Sequence, residues 1–151
     1  MSQPQGSAET VFGYWKEHRE QLRQSENQRA TLTNYLLVIV AGLSGFIVQQ
    51  HFVNRTIAVA VLIVIVGVYG ALTSAKYHER ANYHLAQARA LTQTLAGLNA
   101  LGPEKPLDDA RDQHKQRYGV LYNLRLHWLW TGLHAAIALY GLVLIVIIVV
   151  H

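Results

Sequence analysis

At 151 residues, with 51% hydrophobic and 15% charged side chains, the chain has room for one domain but is too apolar for an ordinary soluble one. Zero cysteines exclude a disulfide framework, a thiolate metal site and a cysteine nucleophile. The formal charge of +4 does not point to nucleic acid, because all nine acids share their segments with twelve of the thirteen bases.

Residues 1–8 are rich in Ser, Gln, Pro and Gly and read as a disordered tail, with neither the basic leader nor the apolar core of a cleaved signal. Residues 9–34 read as a cytoplasmic helix broken in composition only by Gly13, with Val11, Trp15, His18 and Leu22 on one face. It is expected to run straight into a first span. Residues 35–53, 56–75 and 126–150 each lack Asp, Glu, Lys and Arg, and each reaches the roughly 17 to 25 residues that cross a hydrocarbon core. Tyr35, Phe52, Trp128 and Trp130 stand near their ends, where aromatic anchors belong. The few residues from His51 to Arg55 force the first two spans into an antiparallel hairpin. Small residues four apart let helix backbones approach closely in lipid, and Ala41 with Gly45 and Gly67 with Ala71 fit that pattern; Gly70 and Gly141 are further candidate helix-packing small residues.

The second span carries a longer signal. Ala60, Ile63, Gly67, Gly70, Ser74, Tyr77, Ala81, His84, Ala88, Leu91, Leu95 and Leu98 recur in alternating steps of three and four. Such a spacing keeps one helical face turned to a neighbour through a left-handed supercoil. A helix that leaves the bilayer unbroken and continues as a coiled-coil arm is therefore expected. Residues 76–125 form a cytoplasmic helical hairpin in this reading, with a turn at 99–107 where glycine and two prolines stop the arm. Asp108 and Asp109 suit the start of the returning helix, which is expected to run on through Arg125 into the third span, with Gly119 as its weak point. The fold class is thus an all-α membrane protein, three long helices in up, down, up order extending from the membrane into a cytoplasmic bundle. Twelve basic residues on one side place the N-terminus and the hairpin in the cytoplasm and the C-terminus outside.

Two groups of residues are candidates for chemistry. His127, Thr131 and His134 line one face of the third span with Ala138 and Gly141, and an ionisable group in a membrane helix is a functional candidate by default. This polar face either lines a pore or packs against a hydroxyl of a neighbouring helix. Lys76, Arg80, His84, Arg117 and Arg125, with Tyr77 and Tyr122 between them, are candidate contacts for an anion, a ligand or lipid headgroups on the cytoplasmic side. No nucleophile elbow, phosphate-binding glycine loop or zinc-binding His-Glu-x-x-His pattern is present, so no enzyme, metal or cofactor is expected.

Trp15 to Phe46, containing RATLTNYLLVIVAGLSGF, and Lys76 to Leu95, KYHERANYHLAQARALTQTL, together resemble the SLATT class of small bacterial membrane proteins. The resemblance covers about the first hundred residues and lies in architecture; the third span departs from the usual two-span plan. It implies an inner-membrane, oligomeric pore-type effector in bacterial defence, partnered with a cytoplasmic signalling enzyme or its nucleotide product. The expectation is a non-enzymatic protein whose partners are the lipid bilayer and copies of itself, gated through its cytoplasmic helices. The alternative is a membrane anchor or adaptor whose arm docks a soluble partner without conduction.

Overall fold

A computed structural model describes residues 3–102 and 105–150, and among these it is all helix, with no strand. The helices are α1 (Gln3–Gln49), α2 (Ile57–Gly97), α3 (Lys105–Arg117), α4 (Gly119–Asn123) and α5 (Leu126–Val150). Within α1, α2 and α5 lie three segments long and apolar enough to cross a membrane. The chain divides into two compact units, Ser25–Glu79 with Leu126–His151, and Met1–Gln24 with Arg80–Arg125.

The first of these, called the apolar unit here, has a core of Val40, Ile47, Ala60, Ile63, Ile137, Leu144 and Ile148. Its helices approach closely because three glycines allow it. A Cβ on Gly67 would lie 2.7 Å from Ala138 Cα, and one on Gly141 would lie 2.8 Å from the backbone nitrogen of Val64. These contacts run in opposite order along α2 and α5, so the two helices are antiparallel. Gly42 and Gly45 have nothing within 4 Å of the equivalent position, and Ala41 is exposed. Small residues that look alike in the sequence are therefore divided between helix seams and an open face.

The hairpin between α1 and α2 closes by capping. The amide of Phe52 donates to Ile47 O (3.2 Å) and that of His51 to Val48 O (3.0 Å), the paired bonds of a Schellman motif. His51 (φ 53°) and Phe52 (φ 56°) both take left-handed backbone there. Phe52 packs on the core and offsets that cost by burial. The Thr56 hydroxyl then donates to Val53 O (2.7 Å), closing the short 3-10 turn before α2.

In the second unit, α2 buries Ala81, Ala88 and Leu95, the continuation of the predicted stripe, and α1 sets Trp15 and His18 against it. α2 ends on a second Schellman motif, in which Ala100 donates to Leu95 O (3.0 Å) and Asn99 to Ala96 O (2.9 Å). The left-handed residue is Asn99 (φ 54°), so the stop is made by an asparagine before the glycine and prolines to which the sequence points. Pro103 and Glu104, within the expected turn, lie outside the described residues.

Two expectations are corrected. The described part of the N-terminal tail is helical from Gln3, with Met1 and Ser2 outside the described residues. The third long helix is not continuous from Asp108: it breaks at Tyr118 (ψ 31°) beside Gly119, and again where Leu124 turns extended (ψ 110°) ahead of Leu126. Glycine weakens the helix where it was flagged. The second break puts Arg125 in a non-helical link rather than on a continuous rod.

Candidate functional site: a polar seam in the apolar unit

Aliphatic packing gives way at one end of the apolar unit to a stack of polar residues contributed by α1, α2 and α5. His134 is 1% exposed, and its Nε2 lies 3.1 Å from Thr33 Oγ1. The Thr33 hydroxyl already donates its one proton to Arg29 O (2.9 Å), so toward the ring it accepts. Nε2 therefore carries the proton. Nδ1 is left without a partner and faces Gly70, where an added Cβ would come within 2.7 Å of the ring carbons. Glycine at 70 is thus the space that the imidazole occupies.

Four residues of helix, just over one turn, rise about 6 Å at roughly 1.5 Å each. Moving by that step from the Thr33, Gly70 and His134 level, α1 brings Arg29, α2 running the other way brings Ser74, and α5 brings Trp130. Arg29 is 6% exposed and its guanidinium lies 5.2 Å from the centre of the Trp130 ring. Ser74 is 2% exposed. Arg29 Nε, Ser74 Oγ and Trp130 Nε1 are all buried without a hydrogen-bond partner. Another turn along, His78 and His127 stack with ring centres 4.0 Å apart.

The predicted polar face of α5 therefore points into its own helix seam. His134 is buried, and His127 and Thr131 are partly covered. Of the predicted packing residues, Gly67, Gly70 and Gly141 lie in seams, Ala71 is half-buried, and Ala41 and Gly45 are exposed. Arg29 escapes a reading of the sequence because it looks like one more flanking base; only α5, a hundred residues later, covers it.

The predicted cytoplasmic cations each make local contacts of their own. Lys76 is exposed and ion-paired along its own helix with Glu79. Arg80 reaches Gln21 Oε1 at 3.4 Å. His84 Nδ1 meets His18 Nδ1 at 3.1 Å. Burial, then the neighbouring His18 and Arg80, hold the His84 imidazole below its ordinary pKa, with Glu17 opposing. Arg117 stacks near Tyr118 (5.7 Å), and Arg125 is exposed in the link before α5. Tyr122 lines an open groove of about 420 Å³ with Asp112, Lys115, Gln116, Gly119 and Asn123. No group of three or more metal-ligating residues occurs among the described residues. Comparison with known proteins adds no identity: no family model matches, and neither do curated proteins or solved structures.

Proposed function

We propose that this is a non-enzymatic, multi-pass protein of the bacterial inner membrane, a channel-type effector that works as an assembly of copies. The observation that carries the reading is the polar seam: Arg29, His134, Thr33 and Ser74 are buried, with Trp130 half-buried beside them, at the end of a unit otherwise packed from aliphatic side chains. Ionisable groups in such a setting are costly and are kept where they do work. A single copy is closed at its apolar end, where Ile47, Ile63 and Ile148 are fully buried, so passage would run between copies. The uncovered Ala41, Gly42 and Gly45 face of α1 leaves room for another helix to approach. In this reading the N-terminus and residues 76–125 are cytoplasmic and gate the assembly, in response to a signalling enzyme or its nucleotide product. The adaptor alternative gains less support, because Ala81 and Ala88 are buried within their own unit instead of presented for docking.

The test pairs a mass measurement of the detergent-solubilised assembly with dye leak from proteoliposomes. A particle of four or more copies with ion or dye release supports the proposal. A strictly monomeric particle in tight vesicles under every condition overturns it.

A further inference from the structure

We infer that Arg29, Ser74 and Trp130 form a binding site for a small anion, either a free inorganic anion such as phosphate or the phosphate of a lipid headgroup. The inference rests on the seam being a functional element, but it requires no conduction.

Three observations lead to it. First, Arg29 is buried with no contacting ion pair among the described residues; Glu26, one turn back on the same helix, is the acid that acts on its charge, and it is itself exposed. A buried charge with no contacting counter-ion is destabilising, and the solvent-screened Glu26 and the Trp130 ring, at 5.2 Å, offset only part of that cost. Second, the unpartnered groups at this level are all able to donate: the Arg29 Nε–H and Trp130 indole N–H only donate, and the Ser74 hydroxyl can. A set of donors around a cation is suited to an anion and unsuited to a metal ion. Third, the donors come from three different helices at one level, fixed by the Thr33, Gly70 and His134 contacts one turn away, so the set is held before any ligand arrives. The unpartnered His134 Nδ1, an acceptor, faces Gly70 at that next level.

Full-length protein in detergent micelles is titrated with sodium phosphate at constant ionic strength, made up with bulky sodium gluconate, while thermal unfolding is followed. In a second arm the micelles are doped with phosphatidylglycerol or with a phosphate-free galactolipid. At a hundredfold excess over the dissociation constant the midpoint should rise by about 5–10 °C in the first arm for a free anion, or in the second for a headgroup. Arg29→Gln should abolish the shift, and without ligand it should be at least as stable as the parent, because the unpaired charge is gone. Should that variant fail to fold, Trp130→Phe and Ser74→Ala carry the test: each removes one donor, keeps the helix, and should weaken the apparent affinity about tenfold. Equal shifts in parent and variants, or no shift with either probe, overturn the site. A ligand-dependent shift in protein whose vesicles stay tight retains the anion site and removes conduction; leak without any shift does the reverse.

Discussion

Replacing Gly67 by alanine tests a close backbone contact between α2 and α5. The new methyl would stand 2.7 Å from Ala138 Cα and 2.9 Å from its Cβ, and the backbone nitrogen of Ala138 is nearer still. Two of these atoms are main chain, so no side chain can rotate away. α5 must move outward, and that loosens the packing of Ile63, one turn away on α2, and of Ile137, next to Ala138 on α5. Overpacking of this kind costs about 1–3 kcal/mol. For a chain of this size each kcal/mol lowers the unfolding midpoint by about 2–4 °C, so a fall of about 2–12 °C is expected. Circular dichroism of the purified protein in detergent reads it. Gly45→Ala is the matched control: it is also a glycine in an apolar helix, but nothing lies within 4 Å of the added group. It should be no less stable than the parent and up to about 1 kcal/mol more stable, because alanine favours the helix. If Gly67→Ala matched the control, the close α2 and α5 seam described here would be wrong.

Thr33→Val keeps the shape of the side chain but strands the His134 Nε2–H in a buried site; a loss of about 1–3 kcal/mol is expected in chemical denaturation, and no loss would mean that the contact does not form. Trp15→Phe removes the indole donation to Thr92 Oγ1 (3.0 Å) and should cost about 0.5–1.5 kcal/mol, read as faster amide exchange along residues 88–95. His84, whose folded pKa lies below the ordinary 6.5, binds a proton less readily folded than unfolded. Its contribution to stability is therefore complete above about pH 6.5 and declines as the pH falls from there toward the lowered folded value, so residues 80–95 should exchange faster at pH 5.5 than at pH 7.5 after correction for intrinsic rates. His84→Gln should flatten that difference; an unchanged slope would show that another group is responsible.

The sequence alone determined the elements that depend on local pattern. Uncharged runs marked the three apolar segments, and the alternation of three and four steps along α2 picked out Ala60, Ile63, Gly67, Gly70, Ser74, Ala81, Ala88 and Leu95, which are buried, along with Tyr77, His84 and Leu91, which are half-buried, and Leu98, which is exposed. A periodic stripe is legible because every turn of a helix repeats the same demand for an apolar or small side chain. Local pattern was less reliable at the ends, where a left-handed Asn99 capped α2 ahead of the expected glycine and prolines, and where the break at Leu124 had no glycine or proline to announce it. Tertiary structure decided which of two similar small-residue sets was used, closing helices over Gly67, Gly70 and Gly141 while leaving Gly42 and Gly45 open. It also turned Arg29 from a flanking base into a buried cation beneath Trp130, and gave His134 its threonine partner from a helix 101 residues away. Contacts of that separation have no signature in either segment by itself, because the free energy that selects them belongs to the packed pair.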